Sequence, residues 1–296
     1  MKSFQYLAPI PKFDYLVPRT LPELFDAIET TRNLAMIAGG TDLMLALKER
    51  TVAPEVVVDL GRLRGKLGGI TVDKGVLRIG ALTTFYQIES SPLVARYASA
   101  LAQAAANLGT LQIRSIATLG GNIATASPAA DSAPPLIALG AKVTLLGREG
   151  QRKVPIQSVF VGPKRNCLGR GEIISSVEIA ASEGTYSAWT RGAVRKENVL
   201  STVSVSVAST IRGAKFGESR VALGAVAPTP MLAERASRAM TGSHSTPAQA
   251  EKIASLAAEE AKPISDIRAS AQYRKHLVFV LTRRLILRMI SEVEGV

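Results

Sequence analysis

The chain has 296 residues, 47% hydrophobic and 20% charged, which is enough for one large domain or for subdomains that share cores. Its 36 Lys and Arg against 24 Asp and Glu leave a net charge of +12, favouring an anionic partner: nucleic acid, a membrane surface, an acidic protein or a phosphorylated cofactor. Aromatic residues reach only 5% and do not interleave with the basic ones, which argues against nucleic acid, and the lone Cys167 excludes an internal disulfide, a Cys-rich zinc site or an iron–sulfur cluster held by this chain alone.

A single cysteine suits a reducing, cytoplasmic compartment. The opening MKSFQYLAPIPKFDYL carries prolines and charges where a signal peptide needs an apolar run, so no leader is expected. No segment approaches the roughly 18 consecutive apolar residues of a membrane span.

Thr20-Leu-Pro-Glu23 reads as a capping box opening a helix to about Thr30, with Leu24, Phe25 and Ile28 on one face. Leu34 to Ile37 is a short buried strand that runs into Ala38-Gly39-Gly40-Thr41-Asp42, and Leu43 begins a helix. This order points backbone N–H groups at an anion. With a further strand over Val56 to Val58, residues 1–60 form a small βαβ-like unit.

Hairpins follow. Ile70 to Val72 and Val76 to Ile79 flank the turn Asp73-Lys-Gly75, and Thr84 with Gln87 caps a short helix. An alanine-rich helix over Leu101 to Asn107 leads through a connection, Leu108 to Ala117, to the second glycine segment, Thr118-Leu-Gly-Gly-Asn122. Strands at Lys142 to Leu146 and Glu172 to Ile179, with a turn at Arg148-Glu-Gly150, complete a second α+β unit over 61–180. In 181–296, Thr202 to Ala208 alternates strictly and Val221 to Val226 supplies a partner strand. Helices then cover Leu232 to Met240, Pro247 to Ala261 and Asp266 to Val293, the last with Leu277, Val280, Leu281, Leu285 and Met289 at helical spacing.

The two glycine pairs share one chemistry. Each follows an apolar stretch and is completed by Asn or Asp within two residues, and glycine lets main-chain N–H groups approach phosphate oxygens. Neither is a triphosphate loop or a G-x-G-x-x-G fingerprint, which makes a kinase or ATPase a poor reading. Asp131 reads as an N-cap before Pro134 and Pro135 and as a carboxylate that accepts from sugar hydroxyls, two roles that are compatible. Arg191 and Arg195 are either a solvated edge beside a strand or part of the site. His244 and His276 have no carboxylate companions, so no metal site is expected, and no Ser-His-Asp or Cys-His set can be assembled to supply catalytic residues.

Five ordered segments carry a resemblance: AGGTDL at 38–43, RIGALTT at 78–84, QIRSIATLGGNIATASPAAD at 112–131, LGAVAPTP at 223–230 and DIRASAQYRKHL at 266–277. Over essentially its whole length the chain resembles the FAD-binding medium subunit of the molybdenum hydroxylases, the xanthine dehydrogenase, aldehyde oxidoreductase and carbon monoxide dehydrogenase family. The resemblance implies an α+β protein with a vanillyl-alcohol-oxidase-type FAD-binding fold: two α+β subdomains, 1–60 and 61–180, and a C-terminal subdomain, 181–296, of antiparallel strands and helices. It implies that Ala38, Gly39, Gly40, Thr41, Asp42 and Leu43, and Thr118, Leu119, Gly120, Gly121 and Asn122, form the loops at the FAD diphosphate, and that Ile37 and Ala81 also bind the cofactor. Thr125 and Asp131 would meet ribityl and ribose hydroxyls, and Ile174 and Arg191 the isoalloxazine ring. The family often has Lys where Arg191 stands.

The resemblance further implies an electron-transfer subunit of an oxidoreductase. A molybdopterin-binding large subunit would oxidise an aldehyde or N-heterocycle, and a small subunit with 2Fe-2S clusters would pass electrons to FAD. FAD would deliver them to NAD, a quinone or oxygen, within a dimer of heterotrimers. A non-enzymatic anion-binding scaffold and a free-standing flavin oxidase stand beside this reading.

Overall fold

Two parallel pairings of short strands open the fold. Residues 9–195 and 198–294 are described by the computed structural model. Strands β1 (Asp14–Leu16), β2 (Leu34–Ile37) and β3 (Val56–Asp59) form a parallel sheet in the order β1-β3-β2. The helix Leu21–Thr30 crosses from β1 to β2. Thr20 Oγ1 accepts from the N–H of Glu23 at 3.3 Å, and the Glu23 carboxylate accepts from the N–H of Arg19 at 2.8 Å, so the box closes one residue earlier than the Thr20 N–H. Leu24, Phe25 and Ile28 are buried by this helix together with Leu82 and Ile173 of the next unit, which ties the two together. The strand predicted to be buried, Leu34–Ile37, is only half-buried, and Met36 is exposed.

The second sheet is antiparallel. It contains β4 (Ile70–Asp73), β5 (Val76–Gly80), β6 (Lys142–Gly147), β7 (Gly150–Pro155) and, beyond a small hairpin of β8 (Phe160–Gly162) and β9 (Arg165–Asn166), β10 (Ile173–Ala180), in the order β4-β5-β10-β6-β7. Lys74 and Gly75 both take positive φ in the β4–β5 turn, as a tight hairpin demands. Between β5 and β6 the chain inserts a helical layer whose apolar side chains pack on this sheet through Phe85, Leu101, Leu119 and Ile137.

Two segments of that layer differ from the sequence expectation. The predicted connection Leu108 to Ala117 contains a helix, Leu111–Ile116, capped by Thr110, whose hydroxyl accepts from the N–H of Ile113. The second glycine segment, Thr118 to Asn122, for which the sequence reading gave no helix, is the first turn of a helix, Leu119–Thr125, with Thr118 as N-cap. Glycine weakens a helix by about 1 kcal/mol relative to alanine. Here the close approach of Gly120 to Ala81 requires it, because a Cβ would lie 2.6 Å from the Ala81 Cβ.

The third sheet holds β11 (Thr185–Gly192), β12 (Val203–Arg212), β13 (Lys215–Gly224) and β14 (Met231–Leu232), antiparallel in that order. Val203, Val205 and Val207 pack on the helices Glu234–Met240, Pro247–Glu260 and Ala271–Glu294. Ser204 and Ser206 point to the opposite face yet are fully buried, since the helix Ala133–Ala138 lies against that face and a Cβ at Gly224 would meet Pro134 at 2.8 Å. The sheet is therefore covered on both sides and locked to the second unit. The last helix starts at Ala271 instead of Asp266, because the Asp266 carboxylate accepts from the N–H groups of Arg268 and Ala269 and turns the chain there.

Candidate functional site

The two glycine segments, far apart in the chain, meet. Gly39 lies so close to the backbone of Ile116 and Ala117 that a Cβ on it would come within 2.7 Å of the Ile116 carbonyl carbon and 2.9 Å of the Ala117 Cα. Gly40 has φ +70, a conformation that side-chain-bearing residues rarely adopt. Glycine is thus required twice in succession for two different reasons. Thr84 and Thr118, each a helix N-cap, pair in an isolated antiparallel bridge, and the N–H of Gly120 donates to the Ala81 carbonyl at 2.8 Å, so Ala81 forms the floor under the second segment.

The two segments differ in what they offer a ligand. Leu119, Gly120, Gly121 and Asn122 all spend their N–H groups on Thr83, Ala81 and Thr118. Among the described residues, the N–H groups of Gly39, Gly40, Thr41 and Asp42 make no hydrogen bond to the protein. The first segment supplies donors and the second supplies surface: a Cβ at Gly121 would meet only Thr118 Oγ1, at 3.0 Å. Beside the first segment lies a cleft of about 410 Å³, with walls from Ile37 to Thr41, Met44, Leu45, Ile113 and Ile116, and with Lys48 and Asp59 as its charged groups. Lys48 was not singled out from sequence, since a surface lysine carries no signature of a site, and Ile113 and Ile116 stood in the 112–131 segment without an assigned role.

A second cluster lies at the start of the third sheet. Asp131 is buried, 6% exposed, and is not an N-cap; Ser132 holds that position. Ser201 Oγ donates to Asp131 Oδ1 at 2.6 Å, and Arg191 Nη1 donates to Oδ2 at 3.2 Å and to the carbonyl of Val199 at 3.3 Å. Burial pushes Asp131 up to about 6 against the opposing pull of the Ser201 hydroxyl and the Arg191 charge, so it is mainly ionised at neutral pH and holds a buried cation in place. Arg191 is accordingly part of a buried pair and not a solvated edge. Arg195 remains exposed, its guanidinium donating to the Asn198 carbonyl.

The remaining expected residues bridge these clusters. Thr125 Oγ1 donates to the Gly121 carbonyl at 2.9 Å, and Asn122 Oδ1 accepts from Ser132 Oγ at 2.7 Å, next in sequence to Asp131. Ile174, 7% exposed, precedes an irregularity in β10 at which the Ser175 carbonyl accepts from the N–H of Ala81. Nothing in the sequence pointed to Ser201 or to the Asn122–Ser132 link.

Residues 11–181 match the family described as the FAD binding domain in molybdopterin dehydrogenase, and residues 189–289 match the CO dehydrogenase flavoprotein C-terminal domain. The chain belongs to this flavoprotein family. It is 31% identical over 279 residues to the putative xanthine dehydrogenase FAD-binding subunit of Escherichia coli, covering 93% of this chain and 95% of that one. It is 29% identical over 290 residues to the nicotinate dehydrogenase FAD-subunit of Eubacterium barkeri, covering 96% and 98%. In structure it resembles the carbon monoxide dehydrogenase of Hydrogenophaga pseudoflava, with TM-score 0.90, 29% identity and coverage of 94% and 96%. The quinoline 2-oxidoreductase of Pseudomonas putida 86 is similar at TM-score 0.90 and 29%, covering 96% and 99%.

The flavoprotein's residues fit FAD on their own geometry. Four N–H groups without protein acceptors next to a side-chain-free shelf suit a diphosphate, and the adjoining cleft is largely apolar with one lysine. Among the described residues no helix is long and apolar enough to cross a membrane.

Proposed function

We propose that this flavoprotein is the electron-relay subunit of a heteromeric molybdenum hydroxylase, with FAD held where its two glycine segments converge. That convergence is the observation that carries the reading. The N–H groups of Gly39 to Asp42 would face the diphosphate, with Ile37, Ala38 and Leu43 shaping the turn. Thr118 to Asn122 and Ala81 would form the opposite wall, and the 410 Å³ cleft would receive the adenosine end. Thr125, bonded to the Gly121 carbonyl, and Asn122, bonded to Ser132 beside Asp131, would line the path from the diphosphate toward Arg191 and Ile174, the residues proposed for the ring.

FAD, when bound, supplies the exchange between two-electron and one-electron carriers. The chain's own part is placement and electrostatics. Ile174 offers an apolar wall that excludes water. Arg191 is permanently charged, so it stabilises negative charge that arrives beside it, and Asp131 fixes the guanidinium's position. Electrons would arrive from an iron–sulfur small subunit served by a molybdopterin-binding large subunit that oxidises an aldehyde or N-heterocycle. They would leave to NAD, a quinone or oxygen. Assembly as a dimer of heterotrimers, residence in the cytoplasm and a division of the chain near residues 60 and 180 belong to the same proposal.

The test is the visible spectrum of the purified chain. A flavin spectrum whose chromophore is released as FAD by denaturation is expected. A folded, colourless protein that ignores added FAD would leave only the scaffold reading. Substrate turnover by the chain without partner subunits would replace the relay by a free-standing oxidase.

A further inference from the structure

The segment between the last two helices combines rigidity with exposed apolar surface. Ile267 is 105% exposed and Ile264 70%, and Tyr273 stands half-exposed one turn into the last helix. Loops that carry isoleucine in water are usually free to turn it inward, but this one is held. Asp266 accepts from the N–H and guanidinium of Arg268 and from Arg274 Nη2 at 2.8 Å, and a bridge joins Asp266 to Ala269. Arg274 is itself 1% exposed and donates to the carbonyls of Thr202 at 2.6 Å and Ala225 at 3.0 Å. A buried cation with three anchors on two strand ends and this loop fixes the loop's shape in advance. Preorganisation of that kind lowers the ordering cost of association.

The loop and the start of the last helix carry more basic than acidic groups. Lys262 and Lys275 are exposed on either side, and the loop's only carboxylate, Asp266, is already neutralised by two arginines. A second copy of the same knob would meet it with like charge. Arg274 also reaches the carbonyl of Thr202, the neighbour of Ser201, which donates to Asp131 in the proposed flavin site.

We propose that the 264–268 loop is a preformed docking knob for another chain of the complex, one that offers an apolar hollow ringed by carboxylates. Ile264 and Ile267 fill the hollow, Lys262 and Lys275 face the carboxylates, and Arg274 keeps the knob in the docking shape. The inference rests on the subunit reading given above.

The experiment coexpresses the tagged chain with the molybdopterin-binding and iron–sulfur chains and measures dissociation of the purified complex by analytical ultracentrifugation. Ile267→Asp should weaken assembly by at least about 30-fold, as expected for loss of an interface anchor. FAD content and melting temperature of the isolated chain should stay at wild-type values, because the side chain touches nothing in it. The double variant Lys262→Glu with Lys275→Glu should slow association and abolish its weakening by salt. If the wild-type complex forms and Ile267→Asp assembles equally well, the knob is refuted while the subunit reading stands. If the wild-type chain forms no complex with the other two, both fall. A homodimer of this chain that Ile267→Asp disrupts would also overturn the proposal.

Discussion

Gly39→Ala isolates the contact on which the site depends. The added Cβ would sit 2.7 Å from the Ile116 carbonyl carbon and 2.9 Å from the Ala117 Cα, against an ordinary contact beginning at 3.4 Å, and both neighbours are backbone that cannot rotate away. The two segments must therefore part by roughly 1 Å, which costs about 1–3 kcal/mol as overpacking. A donor moved that far from a ~2.9 Å hydrogen bond no longer makes it. Loss of two charge-assisted bonds from the N–H groups of the first segment, at about 1.5 kcal/mol each, weakens FAD binding by roughly 100-fold. Fluorescence titration of the deflavinated protein with FAD gives the dissociation constant, and thermal melting without FAD gives the stability change. Wild-type affinity at an unchanged melting temperature would refute the convergence as the origin of binding.

Gly121→Val should separate ligand loss from fold loss, because its Cβ meets only Thr118 Oγ1; near-normal melting with little retained FAD is expected, and full FAD stoichiometry would contradict the shelf assignment. Asp131 has a folded value of about 6 against an ordinary 3.8, so its contribution to stability is fully present below 3.8 and is lost as pH rises through about 6. That loss is roughly 3 kcal/mol, and in urea unfolding Asp131→Asn should flatten the pH slope between these values; an unaltered slope would mean another group titrates there. Arg191→Met should lower the flavin midpoint potential by on the order of 30 mV through loss of a nearby positive charge, and a spectroscopic titration that shows no change would remove Arg191 from the ring's surroundings.

Chemistry that acts within a few residues was legible in the chain. The caps at Thr20 and Thr84, the Lys74-Gly75 turn, the alternation over Val203 to Val207 and the helical face of Leu281, Leu285 and Met289 each depend on neighbours that the sequence displays directly. The glycine pairs were also legible as points of close backbone approach. What they exclude was not. Gly39 yields to the backbone of Ile116 and Gly120 to Ala81, contacts that no local pattern records.

The sequence by itself determined the sign of the charge, the absence of cysteine-based centres, most strands and helices, and the family. Only the tertiary structure decided that the second glycine pair is a helix start whose N–H groups are already taken, so that donors come from the first pair alone. It also decided that Asp131 holds Arg191, 60 residues away, and Ser201, 70 residues away. A carboxylate's partners are set by which surfaces the packing of sheets brings together and dehydrates. Burial, which raises the stakes of each such pairing, belongs to the whole fold and to no segment of the chain.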